Sequence, residues 1–243
     1  MKSITVAMPA FNEAENIPAM IQDVTTVMEP LGRDYEVIVV NDGSRDNTSA
    51  VVHSLEGQYP RLRLVEHPQN QGYGAAVFTG LTSASKELVF FTDADRQFDL
   101  AEITKLLDHI EQYDLVVGYR APRRDPLMRR LNGWGWSRLV RVLFGYTARD
   151  IDCAFKMMQR HVVEHLRDQV QSRGATFSAE FLVRAKHAGF TIAEVAIKGH
   201  RPRVAGSPTG AKPAVIIRAF KELLRFRTTL AQEEQMANVR SKN

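Results

Sequence analysis

In the stretch ELVFFTDADRQFD, Glu87 to Asp99, a β-prone run ending at Thr92 is followed at once by two carboxylates, Asp93 and Asp95. If the chain stays extended through Ala94, both side chains project to the same side. Two anions held so close repel one another unless a cation sits between them. A hard divalent ion suits the pair, because such ions take oxygen ligands, commonly one or two carboxylates plus substrate phosphates. The alternative is structural: the pair caps a helix beginning near Leu100, or forms a solvated turn.

Two further polar clusters bear on that choice. PAFNE (Pro9–Glu13) and NDGS (Asn41–Ser44) each follow an apolar run, as TDAD does. The runs Ile4–Met8, Tyr35–Val40, Leu62–Glu66, Leu88–Thr92 and Leu115–Val117 have strand character. Helical patterns lie between them, near Ile17–Met28, Asn47–Gln58, Ala75–Ser83 and Leu100–Glu111, with Pro18 tolerated in the first turn of the first. The alternation predicts βαβ units and an α/β fold, a mostly parallel central sheet flanked by helices. In open sheets of this kind ligands bind beyond the carboxyl ends of the strands. The three turns then meet along one edge, which favours a shared site over three unrelated loops.

The formal net charge of +4 conceals a division along the chain. Residues 1–118 carry 8 Lys/Arg against 18 Asp/Glu, whereas 119–149 and 198–227 each carry 8 basic residues and 1 acidic one. An acidic front with two basic blocks behind suits a metal-binding half and an anion-facing half; a solvated face is the alternative for each block. No recognisable nucleic-acid module accompanies the blocks, so nucleic acid is not an expected partner. Cys153 is the only cysteine, which excludes an intrachain disulfide and a cysteine-rich zinc site. Apolar runs fall well short of the ~18 residues that span a bilayer, and the first residues read as a strand, so a cytoplasmic setting is expected. Gly72-Tyr73-Gly74 imitates a dinucleotide-binding turn. It follows the third strand, however, and Val77 stands at the third glycine position, so a nicotinamide dehydrogenase is not expected. The glycines instead suggest a tight start to a helix beside a ligand.

In order and spacing, PAFNE, NDGSRDNT, NQGYGAAVFTG, TDADRQFD, GYR and DIDCAFK together resemble the inverting family-2 glycosyltransferases of GT-A fold. Within that family the chain is most similar to dolichol-phosphate mannose synthases and bacterial polyprenyl-phosphate glycosyltransferases, over roughly Ile4 to Gly210. The resemblance implies a GT-A catalytic domain over 1–210, with 1–118 the nucleotide and metal half and 119–210 the acceptor half. An amphipathic helix and polar tail follow over 211–243. Pro9 and Glu13 are then expected against the nucleoside and Asp42 at its base or ribose. Asp93 and Asp95, with Gln97, are expected to hold Mg2+ or Mn2+ on the donor diphosphate. Arg203 and Ser207 keep their places in a loop that closes over the diphosphate, with Gly206 and Gly210 as hinges. Asn12 reads as a helix cap outside the site.

On the acceptor side the resemblance assigns Arg120 to a phosphate, with Arg129 or Arg130 second and Lys156 matching a basic residue of the motif. Asp150 and Asp152 are placed near the reacting sugar, and Asp95, Arg120 and Asp152 form the expected catalytic set. Glu180 aligns with a family acidic position, although a helix-face role serves equally. Two departures stand out: Trp134 occupies the place of an expected arginine, and Pro208 replaces a loop lysine or displaces it to Lys212.

The implied reaction moves a hexose from a nucleotide sugar, mannose from GDP-mannose being the nearest match, to a polyprenyl or dolichyl phosphate. An ionised phosphate needs placement by cations more than it needs a strong base. One alternative is another nucleotide sugar, such as UDP-glucose, with a sugar-hydroxyl acceptor and Asp150 or Asp152 as base; another is a catalytically silent nucleotide-sugar-binding subunit. Ala214–Arg227 reads as a basic amphipathic helix with Ile216, Ile217, Phe220, Leu223 and Leu224 on one face. Peripheral attachment to the cytoplasmic face of a membrane, or a small membrane-protein partner, is expected from it; packing on the catalytic domain is the alternative.

Overall fold

The computed structural model describes residues 1–121, 127–198, 201 and 213–240. Strands β1 (Ile4–Ala10), β2 (Tyr35–Asp42), β3 (Leu62–His67), β4 (Leu88–Thr92), β5 (Leu115–Arg120), β6 (Phe155–Gln159) and β7 (Ile192–Ile197) make one sheet in the order β3-β2-β1-β4-β6-β5-β7. β6 runs antiparallel to both β4 and β5, and the other pairs are parallel. The mostly parallel α/β sheet expected from the alternation is therefore present. It extends through β6 and β7, which short and broken apolar runs had left unassigned.

Helices cover both faces: α1 (Ile17–Met28), α2 (Thr48–Glu56), α3 (Tyr73–Thr82), α4 (Ile103–Leu107), α5 (Leu127–Phe144), α6 (Arg160–Leu166), α7 (Phe177–His187) and α8 (Pro213–Arg240). Strand side chains alternate between the two layers, as the pleat requires. Ile4, Val6, Met8 and Phe90 pack with Ile17, Val24 and Ile103 on one face, while Ala7, Val89 and Phe91 pack with Val77, Val162 and Leu182 on the other. Burial on both faces explains why these strands read as nearly continuous apolar runs.

One expectation is corrected: the helix anticipated over Leu100–Glu111 is a 3-10 turn, Leu100–Glu102, followed by the short α4. α8 continues past the amphipathic segment as far as Arg240, and Glu233 within it accepts from Arg184 at 2.9 Å. α8 carries two apolar stripes. Ala219, Leu223, Phe226 and Leu230 are buried, the last three in the layer that holds Val77 and Leu182, where Phe226 stacks on Phe144 at 4.9 Å between ring centroids. Burying each of the larger three is worth about 1.5–3 kcal/mol, which holds the helix on the domain. Ile217, Phe220 and Leu224 form the second stripe and remain exposed.

Candidate active site

β1, β2 and β4 run parallel, so the turns that follow them open on one edge of the sheet. The turns are stitched to one another. Asn12 sits at φ 57°, its backbone N–H donates to Ser44 Oγ at 2.9 Å, and its Oδ1 accepts from Arg45 N–H at 2.8 Å. Asn12 is thus no helix cap: Asn16 precedes α1, and its Nδ2 donates to Glu13 Oε2 at 2.6 Å. Glu13 is buried and its N–H donates to Thr48 Oγ1 at the start of α2. Pro9 lies on β1 opposite Val40 of β2. Asp42 is buried beneath the edge, and its carboxylate accepts from His67 Nδ1 (2.7 Å), Asn70 Nδ2 (2.9 Å), Gln71 N–H (2.8 Å) and Gly72 N–H (2.9 Å). That set makes Asp42 the anchor of the loop entering α3.

β4 stops at Thr92, so Asp93 and Asp95 lie in a turn and not on an extended strand. Arg96 takes up a left-handed conformation (φ 58°), steadied by its Nε donating to Asp23 at 2.8 Å. Asp95, 6% exposed, accepts from Gln97 N–H at 3.1 Å. The capping alternative is taken by a different residue: Asp99 accepts from Ala101 N–H and starts the 3-10 turn. Gln97 turns its side-chain amide to the Arg201 carbonyl (3.1 Å), and Arg201 N–H returns a bond to the Gln97 carbonyl (2.7 Å). Gln97 therefore holds Arg201 in place, whereas Arg203 and Ser207 lie outside the described residues. Among the described residues no group of three or more His, Cys, Asp and Glu side chains is arranged to hold a metal. The Asp93–Asp95 pair fits a hard cation whose remaining ligands come from substrate oxygens.

The acceptor-side groups arrive through sheet register. Thr92 of β4 pairs with Phe155 of β6, and Val117 of β5 pairs with Lys156, so the residues just before β6 lie between the ends of β4 and β5. Arg120, the last residue of β5, meets Asp150 there: Nε donates to Oδ2 at 2.8 Å and Nη2 to Oδ1 at 2.9 Å, and its backbone N–H adds a third bond at 3.2 Å. This bidentate pair fixes the plane of the guanidinium. Asp152 is exposed in the same turn, and its charge acts on both Tyr73 and Lys156. Lys156, expected on the acceptor side, is an interior group beside these acids. It is 3% exposed and donates to the Cys153 carbonyl, and burial lowers its pKa against the pull of the nearby acids. Burial, then the Asp150 charge, pushes the Cys153 thiol up to about 12. The side chains of Arg129 and Arg130 lie outside the described residues. Trp134 is 62% exposed on α5, with the Arg138 guanidinium 5.7 Å from its ring.

Gly72 and Gly74 are required by chain packing. A Cβ on Gly72 would lie 2.8 Å from the Arg173 carbonyl oxygen, and one on Gly74 would lie 2.6 Å from the Gly174 oxygen and the Phe177 Cβ. Arg173 O accepts from Ala75 N–H, which clamps the start of α3 to the 171–176 loop. Glu180 supports that loop from beneath, accepting from Gln171 and Ser172 N–H and from Arg184 Nε, so it is structural. Sequence reasoning passed over Tyr73, whose hydroxyl donates to Asp93 Oδ1 at 2.9 Å. The available signal was an aromatic residue between two glycines, which composition alone does not distinguish from a core residue.

Comparison with known proteins accords with this geometry. Residues 5–167 match the family described as Glycosyl transferase family 2. A dolichyl-phosphate beta-glucosyltransferase of Trichomonas vaginalis is 31% identical over 212 residues, covering 80% of this chain and 63% of that protein. The chain thus spans less than two thirds of the length of that curated relative. Glucosyl-3-phosphoglycerate synthase of Mycobacterium tuberculosis bound to phosphoglyceric acid superposes with a TM-score of 0.69 at 22% identity, covering 93% of this chain and 80% of that one. The same enzyme with Mn2+, uridine diphosphate and glucosyl-3-phosphoglycerate gives 0.69 at 21% identity and the same coverages. The fold these structures share with the chain is the GT-A fold.

Proposed function

The chain belongs to glycosyl transferase family 2, and from that premise we propose that it moves a hexose from a nucleotide sugar to a polyprenyl phosphate, with UDP-glucose as donor. The observation that carries the reading is the meeting of the PAFNE, NDGS and TDAD turns with the Arg120–Asp150 pair on one sheet edge. A glucosyl donor replaces the mannosyl one expected earlier, because the curated relative at 31% identity is a glucosyltransferase. The uridine carrier is taken from the M. tuberculosis synthase bound to uridine diphosphate.

In this reading the PAFNE turn and the Asn12–Ser44–Arg45 stitch form the nucleoside wall. Asp93 and Asp95, with the donor diphosphate oxygens, would hold Mg2+ or Mn2+, whose charge offsets that developing on the departing diphosphate. Arg120, held flat by Asp150, places the acceptor phosphate behind the anomeric carbon. A phosphate oxygen forms the new bond to that carbon as the bond to the diphosphate breaks, and the nucleoside diphosphate leaves. Arg203 and Ser207, which follow the Gln97-bound Arg201 in sequence, would add a cation and a hydroxyl for the donor diphosphate.

Membrane access for a lipid phosphate is supported by the exposed stripe Ile217, Phe220 and Leu224 of α8 beside Arg218, Lys221 and Arg225. Among the described residues no helix is long and apolar enough to cross a membrane. Flotation with anionic liposomes tests this: Phe220→Glu with Leu224→Glu should abolish binding, and unchanged flotation would contradict it. A hydroxyl acceptor is a second reading, favoured by the exposed Asp152 at the site. Asp152→Asn separates the two, since a base would be lost with a large, pH-dependent fall in rate and a phosphate acceptor with a small one. For the donor, a thermal-shift panel of nucleotide sugars with Mn2+ should show stabilisation by UDP-glucose. Stabilisation by GDP-mannose alone would reverse the choice of sugar.

A further inference from the structure

Tyr73 lies in the NQGYGAAVFTG motif, where only the glycines drew a role, yet it reaches the carboxylate pair. It is the first residue of α3, and its hydroxyl donates to Asp93 Oδ1 at 2.9 Å. Its ring meets the Phe91 edge at 6.5 Å between centroids, which joins it to the strand that delivers Asp93. Its backbone is fixed on both sides. Gly72 N–H before it donates to Asp42 Oδ2 at 2.9 Å, and Ala75 N–H after it donates to the Arg173 carbonyl at 2.9 Å. A residue anchored this firmly, with 42% of its surface still exposed at the site, is placed to set the direction of its hydroxyl.

The chemistry of the contact is specific. A neutral phenol donates one hydrogen bond to one carboxylate oxygen and leaves the negative charge in place. It therefore fixes the rotation of the Asp93 carboxylate without competing for its charge, as outer partners of metal ligands do. A lysine or arginine at this position would instead neutralise the carboxylate and oppose cation binding. Resting on the proposed donor site, we propose that Tyr73 is a positioning residue that orients Asp93 toward the divalent cation of the nucleotide-sugar diphosphate.

Tyr73→Phe removes the hydroxyl and keeps the ring against Phe91. Titration calorimetry of the full chain with UDP, at varied Mn2+, reads the cation site without turnover. Tyr73→Phe should weaken Mn2+-dependent UDP binding by about 10-fold or more, in the range of outer-partner losses at metal sites. The Mn2+ concentration for half-maximal transfer should rise in step, while the rate at saturating Mn2+ changes by less than about 3-fold. In an Asp93→Asn background the same substitution should have no further effect on Mn2+-dependent binding, because the carboxylate it orients is gone. Equal Mn2+ dependence in wild type and Tyr73→Phe overturns the role of Tyr73 and leaves the donor site standing. Absence of any Mn2+-dependent UDP binding by the wild type overturns the donor site, and the role of Tyr73 with it.

Discussion

Gly74→Ala tests whether the glycine pair of QGYG is a packing requirement. An added methyl would lie 2.6 Å from the Gly174 carbonyl oxygen and from Phe177 Cβ, and 2.8 Å from the Arg173 carbonyl carbon. Ordinary contact begins near 3.4 Å, so α3 and the 173–177 segment must part by about 0.6–0.8 Å, and packed interiors resist such shifts. Two of the three atoms are backbone and the third is a Cβ, so no rotamer change relieves the clash. Overpacking of this kind costs about 1–3 kcal/mol, and alanine's better helix propensity returns up to about 1 kcal/mol. At 2.6 Å the clash belongs in the upper part of that range, about 2–3 kcal/mol, so the net is a loss of about 1–3 kcal/mol, or about 2–12 °C in Tm for a chain of this size. Gly57→Ala is the matched control, because that Cβ meets nothing within 4 Å and the backbone is already right-handed (φ −67°). Its stability should be unchanged or slightly raised, by up to about 1 kcal/mol. Urea unfolding of the three proteins compares midpoints at constant slope. A Gly74→Ala midpoint at or above wild type would refute the clamp between α3 and the 171–176 loop.

Asp95→Asn should lower transfer by about 10²-fold or more, through loss of charge at the leaving diphosphate, and should abolish the Mn2+-dependent thermal shift with UDP-glucose; retained turnover would contradict the metal corner. Asp150→Ala should destabilise the fold by about 1–3 kcal/mol in urea unfolding, because it removes the bidentate acceptor of the largely buried Arg120, whereas a loss under about 0.5 kcal/mol would show the pair to be unimportant. Cys153, with its folded pKa near 12, has almost no thiolate at pH 8. It should react with a thiol reagent only as fast as the chain unfolds, and rapid stoichiometric labelling of the native protein would contradict that burial.

The first half of the fold was legible because its physics is local. Apolar runs between polar turns mark β1 to β4, and Pro18 and the alternation mark the helices between them. The second half was not, because β6 is short, antiparallel and preceded by a turn, and α7 presents a buried Arg184 and Glu180 that satisfy one another. Charge patterning alone cannot reveal such a pair. At the site, spacing exposed Asp93 and Asp95 but not their geometry, since a strand that stops at Thr92 and a turn that runs on through a left-handed Arg96 leave no compositional sign. Arg120 was legible as a cation, whereas its pairing with Asp150 depends on antiparallel register between β5 and β6. Lys156 was legible as a cation but not as a buried one, because residue type shows charge and not depth. The decoy glycines had a real cause, but it lies a hundred residues downstream in the 173–177 segment.

The most direct measurement of the central claim is transfer from radiolabelled UDP-glucose by the full chain, with Mn2+ and a polyprenyl phosphate in anionic liposomes. The account predicts label in a solvent-extractable glycolipid, dependent on the metal and lost in Asp95→Asn. Label confined to water-soluble products, or a glycolipid yield that Asp95→Asn leaves intact, would contradict it.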